Sequence, residues 1–165
     1  MYDRMKTFYM NVATECSKMS RAVRLQVGAV VVKDNNIISF SWNGTPAGWD
    51  NTCEDIEYID PSATDWANSD KIEELWPLIG EDGRRYRLVT KPEVLHAERN
   101  ALDKLAKGHE SGKNSELYIT HAPCLECAKS IKGAGIIHVY YKNDYRSSSG
   151  IEFLKKCGIS VEKLD

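Results

Sequence analysis

The sequence predicts an α/β layered domain, on three observations. The apolar residues Met5, Phe8, Tyr9, Val12, Ala13 and Cys16 recur at three- and four-residue steps, as one face of a helix over 3–19 requires. The run VGAVVVKDNNIISFSW reads as a hairpin, with strands at 27–33 and 37–42 joined by a turn at Asp34, Asn35 and Asn36. From residue 97 onward helices and strands alternate, which implies crossover connections between strands.

That alternation runs as a helix over 97–107, a strand at 116–120, a helix over 125–132 and a strand at 136–141. A helix over 149–157 and a short strand at 159–162 close it. Between hairpin and alternation, NGTPAG at 43–48 is rich in turn formers and reads as a loop. Residues 50–92 carry acidic and aromatic residues, two prolines and the basic cluster Arg84, Arg85 and Arg87. A helix around 65–76 is expected there, within an insertion or lid on a single domain spanning 1–165. The arginine cluster is read as a solvated or subunit-contact face.

The bulk composition narrows the function. With 42% hydrophobic and 28% charged residues the chain is globular, and a formal charge of -2 leaves no overall basic footprint for nucleic acid. No apolar run is long enough for a bilayer, and the acid at Asp3 is unlike a secretory signal, so a soluble, cytoplasmic protein is expected. The five cysteines are an odd number in a chain that needs no staples, so metal binding or burial outweighs a disulfide framework.

Cys124 and Cys127, in PCLEC, stand three residues apart at a helix mouth, where both sulfurs can reach one ion and the helix N-terminus favours thiolates. His96, in LHAERN, completes a set of one imidazole and two thiolates with a fourth position open, the composition of a catalytic zinc site. Glu98 is two residues from His96 and does not share its helix face, so it is not a ligand. A carboxylate beside the ion can instead carry a proton between water and a substrate nitrogen. Alone, a His-x-Glu at a helix start is ordinary dipole compensation, and a lone Cys-x-x-Cys has several uses. Together they match the H-x-E…P-C-x-x-C pattern of zinc-dependent nucleobase deaminases.

HAERNAL with LYITHAPCLECAKSIKGAGI resembles the cytidine and deoxycytidylate deaminase superfamily, and within it the deoxycytidylate (dCMP) deaminases. RLQVGAVVVKDNNIIS, SWNGTPAG and VYYKNDYRSSSGIEFLKKCGI carry the narrower likeness, which covers most of the chain outside 50–92. The resemblance implies a three-layer α/β/α cytidine-deaminase-like fold around a mixed five-stranded sheet, and hydrolysis of dCMP to dUMP. It implies Zn2+ on His96, Cys124 and Cys127, with Glu98 as general acid and base. Asn43 would contact the sugar or base, the backbone at Ala97 and Ala122 the pyrimidine edge, and Arg24, Tyr145 and Arg146 the phosphate. It further implies regulation by dCTP and dTTP, with Mg2+ on a triphosphate effector, at Gly44, Thr45, Pro46, Ala47 and Gly48. A homo-oligomer, a hexamer foremost, is also implied.

Two departures stand out: Trp42 where the family commonly has Tyr, and Ala122 where many members have a small hydroxyl residue. Cys16 and Cys53 have no obvious partner set, so no second ion is expected, and His121 is read as packing. The rival functions are a deaminase that also accepts dCTP, a polynucleotide deaminase acting on tRNA or single-stranded DNA, and an inactive zinc-stabilised binding module. The acidic balance opposes the polynucleotide reading, and an intact Glu98 opposes the inactive one.

Overall fold

β1 (Gly28–Lys33) is buried from Gly28 to Val32, because it has a strand on each side and a helical layer on each face. A computed structural model describes residues 2–60, 62 and 69–165. In it β1 pairs antiparallel with β2 (Asn36–Trp42) and with β6 (Glu116–His121). β6, β7 (His138–Asn143) and β8 (Ser160–Lys163) run parallel, giving a mixed five-stranded sheet in the order β2-β1-β6-β7-β8. Parallel neighbours need crossovers, and α4 (Leu125–Gly133) and α5 (Ser149–Lys156) supply them.

The two-residue period of β1 sorts its side chains between two cores. Val30 and Val32 pack with Tyr118 and Tyr140 against Tyr9, Met10 and Ala13 of α1 (Tyr2–Ser17). Ala29 and Val31 face the other way, toward α3 (Ala97–Ala106), α4 and α5 through Ala101, Leu105, Ile131 and Leu154. The three-layer α/β/α arrangement follows from that alternation. Gly28 permits the closest approach of α1, since a Cβ there would lie 1.9 Å from the Ala13 carbonyl oxygen.

The hairpin turn is shorter than the sequence suggests. Asp34 and Asn35 both take positive φ, 49° and 61°, as a two-residue turn requires, while Asn36 pairs with Lys33 and belongs to the strand.

A second sheet, β3-β5-β4, was not expected. It comprises β3 (Glu54–Tyr58), β4 (Leu78–Ile79) and β5 (Arg85–Thr90), all within 50–92. No strand there buries a clean apolar face; cross-strand pairs hold it instead. Glu57 lies opposite Arg87 and bonds it at 2.8 Å, and the rings of Tyr58 and Tyr86 lie 5.8 Å apart. The helix expected around 65–76 is described as α2 (Ser69–Leu75); residues 65–68 lie outside the described residues. No helix among the described residues is long and apolar enough to cross a membrane.

Candidate active site

His96 flanks α3 in extended conformation, φ -70° and ψ 151°, so its ring leaves the helix axis while Glu98 stays in the first turn. That change of backbone lets the two side chains diverge from one short motif. Cys124 flanks α4 in the same way, φ -70° and ψ 168°, and its sulfur caps the helix by accepting the Cys127 N–H at 3.4 Å. The His96 Nδ1 lies 3.6 Å from the Cys124 sulfur and 3.3 Å from that of Cys127. The three donor atoms lie within 4.8 Å of one another, and Glu98 is not among them.

The donor set fits zinc. Tetrahedral ligation with Zn–N near 2.0–2.1 Å and Zn–S near 2.3 Å places nitrogen and sulfur about 3.6 Å apart. The electrostatics point the same way. The hydrogen bond from Cys127, and then that from His96, hold the Cys124 thiol down at about 3. Cys127 is pushed up by its hydrogen bond to Cys124 and by burial. Two sulfurs so close cannot both ionise without a cation between them, and a divalent ion satisfies both. The bond to Cys124 raises the His96 ring, offset in part by burial.

Glu98 is 4% exposed. Burial pushes its carboxyl up to about 7, against the pull of its own backbone N–H and of the His96 ring. It thus sits near neutrality, between the roles of acid and base.

His96, Cys124 and Glu98 line a cavity of about 800 Å³. Of the expected contacts, Arg24, Asn43, Ala97, Ala122, Tyr145 and Arg146 line it too. Ala97 opens α3, where a backbone N–H has no partner within the helix. The Ala122 N–H donates to the Asn143 carbonyl at 2.8 Å. The Asn43 amide spans the turn before β1, accepting the Val27 N–H and donating to the Leu25 carbonyl, both at 2.8 Å. Arg146 stacks on the ring of Tyr145, 5.4 Å from its centroid.

Of the loop residues Gly44, Thr45, Pro46, Ala47 and Gly48, none lines the cavity. Gly44 and Leu95 exchange both backbone bonds, N–H to carbonyl at 3.1 and 2.8 Å, so the loop is tied to the residue before His96. Thr45 donates to the Asp50 carbonyl at 2.6 Å. Arg84 pairs with Asp82 in the turn before β5, Arg85 with Glu73 of α2 and Arg87 with Glu57 of β3, and none of the three arginines lines the cavity. Cys16 and Cys53 are free, buried thiols in separate apolar clusters.

The sequence reading missed Glu54, Thr90, His121 and Asn143, which also line the cavity. His121 is only half-buried; its Nδ1 lies 3.0 Å from the Thr120 hydroxyl oxygen, which also accepts the Gly28 N–H. The proximity of THAPC to the ligands was the available signal for His121; Glu54 and Thr90 gave none. Gly150 was missed as well. A Cβ there would lie 2.0 Å from the Pro123 oxygen and 2.9 Å from the Cys124 carbonyl carbon, so only glycine lets α5 rest on the ligand loop.

Comparison with known proteins agrees with this geometry. A deoxycytidylate deaminase of Enterobacteria phage T4 is 28% identical over 169 residues, covering 92% of this chain and 86% of that protein. ComE operon protein 2 of Bacillus subtilis is 31% identical over 147 residues; the match covers 88% of this chain but 64% of the relative's length. A crystal structure of dCMP deaminase from the cyanophage S-TIM5, in complex with dCMP and dUMP, superposes with a TM-score of 0.77 at 41% identity, covering 99% of each chain. Residues 3–143 match the family described as the cytidine and deoxycytidylate deaminase zinc-binding region, and the chain belongs to that family.

Proposed function

We propose that the chain is a zinc-dependent dCMP deaminase, hydrolysing dCMP to dUMP and ammonia and so supplying dUMP for thymidylate synthesis. The observation that carries this reading is a single cavity lined by His96, Cys124 and buried Glu98 and also by the cations Arg24 and Arg146. The phage T4 and S-TIM5 relatives, both named for this activity, support it.

His96 Nδ1 and the sulfurs of Cys124 and Cys127 would hold the zinc ion, which when bound would supply a water acidified toward a pKa of ~7. Glu98 would accept a proton from the attacking water and deliver it to N3 of the cytosine ring as the oxygen adds at C4. The carboxylate so regenerated would then take the proton of the C4 hydroxyl and pass it to the exocyclic nitrogen, which leaves as ammonia as the C4 carbonyl of uracil forms. The Ala97 N–H and the Ala122 carbonyl read the pyrimidine edge. The Asn43 amide, its oxygen engaged by Val27, offers its remaining N–H to the sugar. Arg24 and Arg146 take the phosphate, with Tyr145 supporting Arg146.

Regulation belongs to the same reading. dCTP and dTTP, the triphosphate carried with Mg2+, bind the loop Gly44 to Gly48 of a homo-oligomer, a hexamer foremost, in the cytoplasm. The pairing of Gly44 with Leu95 supports it, because a ligand that shifts this loop also shifts the residue before His96. Within 50–92, Glu54, Val89 and Thr90 give the single domain part of the wall of the site.

Metal analysis with an ultraviolet deamination assay on dCMP, dCTP, deoxycytidine and a single-stranded oligonucleotide tests the proposal. One zinc per chain and preferred turnover of dCMP are expected. Preference for dCTP or for the oligonucleotide, or no turnover with zinc bound, overturns it.

A further inference from the structure

The part of the cavity wall built by β3 and β5 has no role in the chemistry above. It ends in a cross-strand pair, Glu54 opposite Thr90. Glu54 is 8% exposed, unusual for a carboxylate unless it is firmly bonded. Its Oε1 accepts two consecutive backbone N–H groups, Val23 at 2.9 Å and Arg24 at 3.1 Å. The Arg24 guanidinium donates from Nη1 to the Thr90 hydroxyl at 3.1 Å. One cross-strand pair therefore holds both ends of Arg24, its backbone through Glu54 and its head through Thr90.

The turn needs such a hold. Residues 22–25 belong to no helix or strand, and the side chains of Val23, Arg24 and Leu25 are exposed. Ala22 is buried with Cys53 and Val94, which seats the turn on the end of the second sheet. Ser20 and Asn43 tie its flanks through bonds to the Asn43 and Leu25 carbonyls. Among the described residues, Glu54 is the side chain that bonds the backbone of Arg24 itself. Charge-assisted bonds to two amides preorganise that residue, so less ordering is left to be done when an anion arrives.

We infer that Glu54 is a positioning residue that, together with Thr90, holds Arg24 in place for the nucleotide phosphate. The second sheet is then part of the phosphate site, and the selectivity for a nucleotide is built by residues 54 and 90. The inference rests on the reading of Arg24 as a phosphate ligand, and the experiment separates the two.

The zinc-loaded protein and its variants R24A, E54A, E54Q, T90V, E54A/R24A and T90V/R24A are assayed on dCMP, with zinc content measured for each. A group that acts by binding moves KM more than kcat. R24A and E54A are each expected to raise KM about tenfold, with kcat falling less than about threefold. T90V is expected to raise KM about threefold, and E54Q, whose amide oxygen can accept the same two N–H groups, to recover most of the loss. Because Glu54 and Thr90 act through Arg24, both double variants should match R24A alone. If R24A leaves KM unchanged, the phosphate reading fails and the inference with it. If R24A raises KM but E54A and T90V do not, or if their effects add to that of R24A, the inference alone is overturned. Should E54A fail to fold, T90V and T90V/R24A decide by the same criterion.

Discussion

The Nδ1 of His96 lies 3.3 Å from the sulfur of Cys127, 31 residues along the chain. That distance is within a few tenths of an ångström of the edge of a tetrahedral ligand set, and Nδ1 is the ring nitrogen that faces both sulfurs. Cys127→Ser and His96→Ala should each reduce bound zinc below about 0.1 ion per chain after dialysis and abolish deamination. Retention of stoichiometric zinc by either variant would sink the assignment.

Glu98 bonds no metal in this arrangement, so its loss should separate binding from chemistry. Glu98→Gln is expected to keep one zinc per chain while kcat falls by about 10²- to 10⁴-fold. A variant with zinc and near-normal turnover would show that another group moves the protons.

Burial of Glu98 also makes a pH prediction for the metal-free chain. Its carboxyl rises from 4.5 to about 7 on folding, so across that window the folded state keeps a proton the unfolded state has lost. Stability from this group is therefore full below pH 4.5 and falls as pH rises to about 7, by about 3 kcal/mol. Urea unfolding at pH 5 and pH 7.5, a range that misses the first part of the loss, should show wild type losing about 2 kcal/mol more than Glu98→Gln. An equal change in both proteins would exclude Glu98 as the source.

Gly150 carries a steric prediction. A methyl group there meets the Pro123 oxygen at 2.0 Å, so α5 or the ligand loop must shift. Gly150→Ala should lower zinc affinity at least about tenfold, as expected when a group supporting metal ligands is displaced. Gly133→Ala, where a Cβ meets nothing within 4 Å, should leave affinity unchanged. Competition against a chelator measures both, and equal affinities in the two variants would refute the argument.

The sequence was most legible where chemistry and spacing are local. The apolar face of α1 and the alternation of β1 carry their own periods, and the hairpin turn shows its Asp and Asn. Helix ends at His96 and Cys124 were marked by the motifs themselves. The second sheet was illegible for a physical reason. EDIEY and RYRLVT alternate over only four residues each, Ile56 and Tyr58 opposite Leu88 and Tyr86, and that apolar side is largely exposed, so the pattern is too short and too weakly buried to mark a strand. Gly150 was hidden for another: its need for a bare backbone arises from Pro123, which it meets only in the folded chain.

By itself, the sequence determined the layered order of strands and helices, the His96, Cys124 and Cys127 donor set and the place of Glu98 in the first turn beside it. Residue type and short spacing suffice for these, because a thiolate pair on one helix turn or a two-residue alternation is a local property. Tertiary structure alone decided that His96 presents Nδ1 to both sulfurs, that Glu98 is desolvated, and that Glu54 and Thr90 meet Arg24. Those relations depend on how distant segments pair and pack, and no local spacing encodes which strand Glu54 will lie beside or which carbonyl oxygen Gly150 will meet.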